Sequence, residues 1–323
     1  MRIYVTGGTG LVGSNVIKVA QEQYQAEIIA ALYGPPPETP IDYELDPLDI
    51  GDHQAIRAAI RRYKPEAVIH CAALIDQQRL HAQRKWAWSV MVEGTRAFAL
   101  ACRETGARLI FISTDWVFDG REGLVDEDSP PFPVNFYGVM KMASERELSM
   151  IEGLSYGVGR LAGVYGLNYA IPSLTRWVQG VGFGDLPNYC VDSFEKQQPV
   201  RIWADHVNDT AHPTLASDGA DMLIRLAQHD QNGIFHCFGS ESVNRIELAK
   251  RCADAFGGNS QLIQSVPLND DVRAAFADIS IPYRTVASTQ KTTQALGRKA
   301  FNVDEGLSAF KQELDLFNKS STH

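Results

Sequence analysis

Tyr137 and Lys141, four positions apart, are the residues of this 323-residue chain whose types and spacing best suit acid–base chemistry. On a helix, residues i and i+4 share a face, so the lysine ammonium can lie beside the phenol. A nearby cation favours the phenolate, and we therefore expect the pKa of the tyrosine to fall from about 10 toward neutrality. Such a tyrosine exchanges a proton with a carbonyl or an alcohol. Alone, the Y-x-x-x-K spacing is common and usually marks no more than a helix surface.

A second group of polar side chains, Ser113-Thr114-Asp115, ends a predicted strand over 108–113, about twenty residues upstream of Tyr137. A hydroxyl at that strand end can hydrogen-bond the same substrate oxygen that Tyr137 protonates. The alternative is a simple strand-end cap. Finding both features in one chain, after a glycine-rich turn, favours an active site over two unrelated local structures.

The glycine-rich turn lies within 5–16, after an apolar strand over 2–5 and before a helix-compatible stretch over 14–23. Gly7 would permit the tight turn, Gly10 would let the backbone approach a ligand, and Gly13 would let helix and strand pack closely. The backbone N–H groups expected to face a pyrophosphate belong to Thr9, Leu11 and Val12. A lone glycine triplet is weak evidence, but its place between strand and helix predicts a dinucleotide site.

The composition narrows the class of protein. Hydrophobic residues make up 45% of the chain and charged residues 21%, which is enough to bury one large core or two modest ones. The net charge of −9, without a basic stripe, argues against binding to nucleic acid or to an anionic membrane surface. Five scattered cysteines, none in C-x-x-C, indicate reduced thiols. With an N-terminus already in a strand and no long apolar run, we expect a cytoplasmic location and no membrane span.

Strands and helices alternate in the first half of the chain, which predicts an α/β fold with a doubly wound parallel sheet. Ligands of such sheets bind at the carboxyl ends of the strands. The predicted elements are strands at 2–5, 27–32, 67–72 and 108–113 and helices at 14–23, 53–62 and 85–104.

Beyond about residue 165 the alternation weakens, so we predict a Rossmann domain over 1–165 and a smaller substrate-binding lobe over 166–323, with some later segments returning to the first domain. Residues 167–200 are rich in Gly, Pro and aromatic residues and indicate loops around a short helix. The predicted elements beyond them are helices at 221–228, 246–256 and 303–317 and a strand at 233–238.

These motifs resemble the extended short-chain dehydrogenase/reductase superfamily, and more narrowly the dTDP-4-dehydrorhamnose reductases, a family of sugar-nucleotide 4-ketoreductases. The resemblance runs over nearly the whole chain and is strongest over 1–170. S-T-D-x-V-F-D-G, within 112–120, is rather specific for this family. The other stretches that carry it are the glycine motif, 48–50, 65–73, 136–138 with Lys141 and Glu145, Arg160 and 163–166.

The resemblance implies a role for several residues. Thr114, Tyr137 and Lys141 would form a catalytic triad, in which Tyr137 gives the proton and Lys141 also holds the nicotinamide ribose. Asp49 and Ile50 would hold the adenine. The cofactor channel would be lined by Cys71, Ala72 and Ala73. The implied activity is NAD(P)H-dependent reduction of a 4-keto nucleotide-activated deoxysugar, as in dTDP-rhamnose biosynthesis, and members of the superfamily commonly form homodimers.

Some segments depart from the family pattern. After Ala73 the family usually has an acidic, threonine-containing segment, but this chain has 74–81 (Leu-Ile-Asp-Gln-Gln-Arg-Leu-His). Met91 stands where the family usually has asparagine, residues 180–200 look longer and more irregular, and 282–285 only loosely matches an Arg-Pro segment. The nucleotide sugar can therefore differ from dTDP-4-dehydrorhamnose.

The end of the second predicted strand informs the choice of cofactor. NAD-selective sites place an acidic residue there to bind the ribose diol. This chain has Tyr33-Gly34 instead. Without an acid there is no repulsion against a 2′-phosphate, which favours NADP(H) over NAD(H).

The second half holds polar residues with weaker signals. Asn168, Asp205-His206 and 212–214 match family regions that face the substrate or close the pocket, although each is more often a loop cap or turn residue. His206 and His212 also suggest a metal site. No carboxylate or cysteine stands at a ligand-like spacing from them, so we expect no metal.

Two other function classes stay open. A nucleotide-sugar epimerase would keep NAD bound through a redox-neutral cycle. A 4,6-dehydratase fits less well, because Trp116 stands where it would have glutamate. The third class is a non-catalytic, NADP-binding regulatory subunit, against which the intact Thr114, Tyr137 and Lys141 argue.

Overall fold

The computed structural model describes residues 1–121, 123–203 and 208–320. Its strands are, in chain order, β1 (Arg2–Thr6), β2 (Glu27–Leu32), β3 (Glu44–Pro47), β4 (Ala67–His70), β5 (Arg108–Thr114), β6 (Leu124–Val125), β7 (Tyr156–Leu161), β8 (Val164–Tyr165), β9 (Val200–Trp203), β10 (Thr210–Ala211), β11 (Thr214–Leu215), β12 (Gly233–His236), β13 (Val243–Asn244), β14 (Ile263–Val266) and β15 (Val286–Ala287).

The α-helices are, in the same order, α1 (Leu11–Tyr24), α2 (His53–Tyr63), α3 (Gln77–Ala82), α4 (Arg84–Trp88), α5 (Gly94–Thr105), α6 (Phe136–Met150), α7 (Asp185–Glu195), α8 (Ala216–Ala227), α9 (Arg245–Phe256), α10 (Asp270–Ala275), α11 (Gln290–Leu296) and α12 (Val303–Ser320). A π-helical turn over Ser89–Glu93 joins α4 to α5.

Seven strands form the central sheet in the order β12-β7-β5-β4-β1-β2-β3. Each neighbouring pair is parallel. The predicted doubly wound parallel α/β sheet is therefore confirmed. The chain runs outward from β1 in one direction and then returns through β4 in the other, so β1 and β4 lie side by side. The crevice beyond their carboxyl ends is where such sheets bind ligands.

Both faces of this sheet are covered by helices. On one face α1 packs against α8, and on the other α2 packs against α5. The strands consequently carry continuous apolar runs rather than an alternating pattern, as in β1, where Ile3, Tyr4 and Val5 are all fully buried. Two apolar cores, one on each face, hold the sheet in place, and the candidate site lies at the carboxyl ends of its strands.

The helix predicted over 85–104 is interrupted. It consists of α4, the π-helical turn and α5. Gly94, at the start of α5, lies so close to the β3–α2 connection that a Cβ there would be 2.6 Å from the carbonyl oxygen of Ile50. Single π-turns inside helices often occur near functional sites, and this one carries Met91.

Segments from the second half return to the sheet. Strand β12 pairs with β7 at its edge, and α8 packs on the same face as α1. Helix α8 begins at Ala216, five residues before the predicted start, and β12 ends at His236, two residues before the predicted end. The division at residue 165 itself stays a prediction.

A third apolar core lies outside the sheet. It joins α7, α9 and α12 with short strands of the second half, including Phe194, Leu248 and Phe310. Small two-stranded pairings, such as β9 with β14, connect the loops of this region. Within the described residues no helix has the length and apolar character to cross a membrane, and the five cysteines are free thiols.

Candidate active site

The glycine-rich turn connects β1 to α1. Gly7 has φ +65°, in the left-handed region that glycine favours, and Gly10 N–H donates to the carbonyl of Gly7 at 2.9 Å. Helix α1 begins at Leu11, three residues before the predicted start. The N–H groups of the first helical turn lack intrahelical acceptors by geometry, so they can bind an anion.

The spacing of the glycines has a steric cause. A Cβ on Gly13 would lie 2.1 Å from the carbonyl oxygen of Gly7, and a Cβ on Gly7 would lie 2.8 Å from the backbone of Ala72. A Cβ on Gly10 would meet only the Gly7 carbonyl, at 3.3 Å. Gly7 and Gly13 therefore let the turn pack closely, while the backbone at Gly10 stays open to a ligand.

The carboxyl end of β4 lies beside this turn. Ala72 N–H donates to the Thr6 hydroxyl at 3.0 Å, and that hydroxyl also bonds the Nδ1 atom of His70 at 2.7 Å. Cys71 is partly exposed. Thr6 and Thr95 both contact the ring nitrogens of His70. These bonds hold 71–73 next to the glycine turn.

Met91 packs behind this segment. Its buried thioether accepts a hydrogen bond from Leu74 N–H at 3.2 Å, where the family usually has asparagine. Because sulfur is a weak acceptor, it satisfies that amide only weakly. Met91, although it replaces the asparagine usual in the family, thus still contacts the backbone of the segment after Ala73.

Asp49 and Ile50, predicted to hold an adenine, follow β3. Asp49 is exposed, and its carboxylate accepts a hydrogen bond from Gly51 N–H at 2.8 Å. Ile50 is partly buried. Their contact with adenine stays a prediction.

Thr114 is the last residue of β5, in the middle of the sheet. Its hydroxyl donates to the carboxylate of Asp115 at 3.2 Å and accepts from Trp116 N–H at 3.2 Å. It thus caps the short 3-10 turn over Asp115–Val117. Thr114 therefore caps the turn and, because it also lines the cavity described below, is in a position to face a substrate.

Tyr137 is placed by the start of α6. Asn135 caps this helix, accepting from Gly138 N–H at 2.9 Å, and its amide donates to the carbonyl of Ser280 at 3.0 Å. A Cβ on Gly138 would lie 2.3 Å from the carbonyl oxygen of Trp116. That close approach brings α6 against the turn after β5, with the Tyr137 and Trp116 rings edge to face at 6.1 Å.

Lys141 lies one helical turn further along α6 and is buried. Its ammonium donates to the carbonyl of Ile112 at 2.7 Å and lies 5.7 Å from the centre of the Tyr137 ring. Burial lowers the pKa of Lys141 to about 8, although Cys71 and Glu145 oppose that shift. The structure therefore brings together Thr114, Tyr137 and Lys141 as the sequence predicts.

The predicted shift of the tyrosine is wrong in direction. Burial raises the pKa of Tyr137 above its ordinary value of 10, the negative charge of Asp115 adds to the shift, and a hydrogen bond from Thr114 only partly opposes it. The ammonium of Lys141 does not reverse this because its own pKa is lowered to about 8, so the lysine is neutral before a tyrosine of raised pKa ionises. A neutral phenol at pH 7 is the form that can donate a proton.

A cavity of about 540 Å³ lies over the strand ends. It is lined by predicted residues from the glycine turn and the catalytic group together with two aromatic neighbours, namely Val12, Ser113, Thr114, Tyr137, Trp116 and Phe183. The buried carboxyl of Asp115 also lines it, and burial raises the pKa of this acid to about 6. The turn expected to hold a dinucleotide and the hydroxyls expected to meet a substrate thus share one space.

The segment after Ala73 forms another wall of this cavity. Ile75, Asp76, Gln77 and Gln78 all line it, and Asp76 caps α3 by accepting from Arg79 N–H at 3.0 Å. These residues are where the sequence departs from the family pattern. The departure therefore lies in the cavity itself.

Three further residues of the cavity were missed by sequence reasoning, namely Arg176, Asp185 and Asn208. Arg176 and Asn208 lie in irregular stretches before α7 and after β9, Asp185 is the first residue of α7, and no local motif marks them. The sequence indicated only loops over 167–200, and this prediction did not single out any residue as part of the site.

A larger hollow of about 810 Å³ lies elsewhere, between α1, α8 and α12. None of the predicted site residues lines it, and ion pairs such as Arg298 with Asp218 occupy its wall. We therefore place the chemistry in the smaller cavity, where the acid–base groups are.

The polar residues of the second half have mainly structural contacts. Asn168 joins the lobe to the glycine turn, donating to the Thr9 carbonyl at 2.9 Å. His212 bonds the Gly239 carbonyl at 2.8 Å and accepts from Ala287 N–H at 3.0 Å. Asp205-His206 lies outside the described residues. Among the residues that the structure does describe, no group of three or more His, Cys, Asp or Glu side chains is arranged to hold a metal ion.

The end of β2 bears on the cofactor. Tyr33 is 77% exposed, and a Cβ on Gly34 would meet nothing within 4 Å. The position where NAD-selective sites carry an acid thus offers open space.

Comparison with known proteins gives a family match. The model of the family described as the RmlD substrate binding domain matches residues 1–315. The probable low-salt glycan biosynthesis reductase Agl14 of Haloferax volcanii is 26% identical over 312 residues, which are 96% of this chain and 97% of that protein. Methionine adenosyltransferase 2 subunit beta of Xenopus laevis is 29% identical over 272 residues, 84% of this chain and 76% of the relative.

Solved structures share the fold. A dTDP-4-dehydrorhamnose reductase of Bacillus anthracis, in complex with NADP, superposes with a TM-score of 0.73 at 23% identity and covers 97% of this chain and 99% of its own. A UDP-glucose 4-epimerase of Thermus thermophilus, in complex with NAD, gives 0.76 at 23% identity, covering 96% and 97%.

Proposed function

Because this chain belongs to the RmlD substrate-binding domain family, we propose that it reduces the 4-keto group of a nucleotide-activated deoxysugar with a nicotinamide dinucleotide. One observation carries the proposal. Thr114 and Tyr137 line the same cavity as Val12 of the glycine turn, and Lys141 lies directly behind Tyr137. A proton donor thus stands next to a turn suited to a dinucleotide.

The residues of the turn fit a dinucleotide. The tight packing at Gly7 and Gly13 leaves the N–H groups at the start of α1 free of side-chain caps within the described residues. These groups would hold the pyrophosphate, with Thr9, Leu11 and Val12 nearest to it. Asp49 and Ile50 would hold the adenine, and 71–73 would line the channel to the nicotinamide. When bound, a reduced nicotinamide supplies the hydride for the keto carbon.

The protein's own part is to orient the sugar and move one proton. Tyr137, kept neutral by burial, donates its phenol proton to the oxygen of the keto group as negative charge develops there. The Thr114 hydroxyl would turn from the Asp115 carboxylate to donate a hydrogen bond to the same oxygen. The Lys141 ammonium then stabilises the tyrosinate that remains, and Trp116 and Phe183 supply apolar surface beside the sugar.

We further propose NADP(H) as the preferred cofactor. Its support is the exposed Tyr33-Gly34 at the end of β2, which leaves space and no negative charge against a 2′-phosphate. Dissociation constants for NADPH and NADH, measured by calorimetry on one preparation, test this choice. Tighter binding of NADH would contradict it.

Turnover tests the reaction. A panel of 4-keto nucleotide sugars is incubated with NADPH and with NADH, and the absorbance of the reduced nicotinamide is followed. We expect stoichiometric loss of that absorbance with one member of the panel. Conversion of a nucleotide sugar without net oxidation would instead identify an epimerase, and it would overturn the reductase. A cytoplasmic location and a homodimer stay part of the proposal.

A regulatory subunit is the second candidate. It is favoured by the similarity to subunit beta of methionine adenosyltransferase 2, whose identity of 29% is no lower than that of the reductase relative. Such a protein would bind the dinucleotide without turnover. Co-purification of a stable enzyme partner, together with no oxidation of NADPH by the whole panel, would favour this candidate.

A further inference from the structure

The cavity over the strand ends is short of positive charge. Among the described side chains that line it, Arg176 is the single cation, whereas Asp76, Asp115 and Asp185 are acids. A nucleoside diphosphate carries at least two negative charges. The catalytic wall of the cavity, formed by Thr114 and Tyr137, cannot neutralise them because Lys141 is buried behind Tyr137. A ligand with a diphosphate therefore has one place to find a cationic partner in this cavity.

An ion pair with Asp185 orients Arg176, which could then bind a diphosphate. Its guanidinium Nη2 lies 3.0 Å from Oδ2 of Asp185, and the side chains are 57% and 14% exposed. Gly180 leaves room for this pair, because a Cβ there would lie 2.1 Å from Asp185 Oδ2 and 2.8 Å from Arg176 Nη2. The guanidinium has five N–H donors in a planar fork, so most of them stay available for phosphate oxygens.

Two buried polar atoms in the same cavity lack partners among the described residues. They are Oδ1 of Asn208 and Oγ of Ser113, each in a residue only 2% exposed. Buried polar atoms without hydrogen bonds are rare in native proteins because desolvation is costly. The lack of partners points to a bound group on this side of the cavity. Ser113 stands beside Thr114, while Asn208 lies on the wall of Arg176.

A buried arginine joins Asn208 to the loop before α7. Arg245 donates to the carbonyl of Asn208 at 3.0 Å and to that of Val181 at 2.9 Å. Arg245 therefore connects the segment of Asn208 with the loop of Val181, although the two are distant in sequence. The acceptor at Asn208 and the loop that follows Arg176 thus belong to a single wall of the cavity.

Resting on the proposed function, we propose that Arg176, paired with Asp185, binds the diphosphate of the nucleotide-sugar substrate and that Asn208 accepts a hydrogen bond from the same ligand. The glycine turn supplies its own N–H donors for the pyrophosphate of a dinucleotide. The sugar would then extend from Arg176 across the cavity to Thr114 and Tyr137.

Binding of nucleotides without the sugar tests this assignment. UDP, TDP and their nucleosides uridine and thymidine are titrated into the full-length protein saturated with NADPH, using calorimetry. We expect Arg176→Gln to weaken binding of UDP or TDP by about tenfold to a hundredfold, the loss of one charge-assisted pair. Lys196→Gln is the matched control, because Lys196 is also 57% exposed and pairs with an acid, Asp192, at the far end of α7.

A second variant changes the geometry without changing the charge. Gly180→Ala places a methyl group on the Arg176–Asp185 pair and should weaken binding of the same diphosphate severalfold. Equal affinities of wild-type and Arg176→Gln proteins for UDP and TDP would overturn the assignment. So would weaker binding of NADPH with unchanged binding of UDP and TDP, because Arg176 would then serve the dinucleotide.

The two proposals fail separately. If no keto sugar is reduced but Arg176→Gln still loses UDP or TDP affinity, the diphosphate site stands and the reductase falls. If a keto sugar is reduced with the same KM by wild-type and Arg176→Gln proteins, the reductase stands and the diphosphate site falls.

Discussion

The two walls of the cavity are built differently. On the catalytic wall, Thr114 ends a central strand, Tyr137 and Lys141 lie on one helix, and the glycine turn joins a strand to a helix. On the opposite wall, Arg176 and Asn208 lie in irregular segments, and their neighbours come from 75–78 and from the start of α7. The first wall is fixed by regular hydrogen bonding, the second by a few side-chain contacts.

Under the proposed function, this difference would let one reaction be kept while the substrate changes. The acid–base groups depend on the spacing of a strand end and a helix, which close contacts such as Gly138 against Trp116 enforce. The substrate wall depends on loops, which tolerate insertion and substitution. The departures from the family pattern at 74–81 and 180–200 accordingly bear on the second wall.

The sharpest test of the comparison is Tyr137→Phe on the catalytic wall. We expect turnover to fall by about 10²- to 10⁴-fold because the proton donor is removed. Affinity for NADPH should change little. Steady-state rates with calorimetric NADPH binding measure both quantities, and unchanged turnover would remove Tyr137 from the mechanism.

The buried ion pair between α6 and β7 and the partly exposed pair on the cavity wall should differ in their effect on stability. Glu145 and Arg160 form a doubly hydrogen-bonded pair, 5% and 1% exposed. Glu145→Gln should lower the free energy of unfolding by about 3–5 kcal/mol because it leaves a buried charge unpaired. Asp185→Asn, with an exposed partner, should cost about 1 kcal/mol or less. Urea unfolding measures both; equal losses would contradict the distinction.

Glycines on the two walls should also respond differently. Gly13→Ala forces α1 away from the Gly7 carbonyl, and we expect NADPH affinity to fall by roughly tenfold to a hundredfold as hydrogen bonds to the anion are lost. Gly182→Ala is the control, because its Cβ would meet only Asp185 Oδ2, at 3.6 Å. Comparable loss of NADPH binding in both variants would show that the turn is not the dinucleotide site.

Acid should destabilise the sheet through two strand-end histidines. Burial lowers the pKa of His70 to about 3, with Lys141 contributing, and burial with Arg160 lowers the pKa of His236 to about 3. Between pH 6.5 and 3 these two histidines bind protons in the unfolded chain but stay neutral in the folded protein. The free energy of unfolding therefore falls as the pH falls. Between pH 7 and pH 5 each histidine should cost about 2 kcal/mol.

Urea midpoints at the two pH values check this loss. His70→Asn and His236→Asn should each reduce the dependence on pH. If the slope of stability against pH is the same in the wild-type protein and in both variants, the loss comes from other groups.

The sequence identified the sheet and the catalytic wall because their signals are local. Apolar runs, the glycine spacing, Ser113-Thr114 and Y-x-x-x-K each lie within a few residues, and each predicts its own element. The direction of the Tyr137 pKa shift was wrong because it depends on burial and on Asp115, which α6 meets only after folding. The π-helical turn inside the helix over 85–104 was not predicted; beside it Gly94 packs on Ile50, a contact between segments distant in sequence.

By itself the sequence determined the doubly wound sheet and pointed to the candidate acid–base residues, since both follow from short-range patterns. Only the tertiary structure decided what faces them. Arg176 and Asn208 carry no motif, and they reach one cavity wall because Arg245 and the packing around α7 bring distant segments together. Under the proposals above, recognition of the substrate depends on long-range contacts, which no local pattern in the chain encodes.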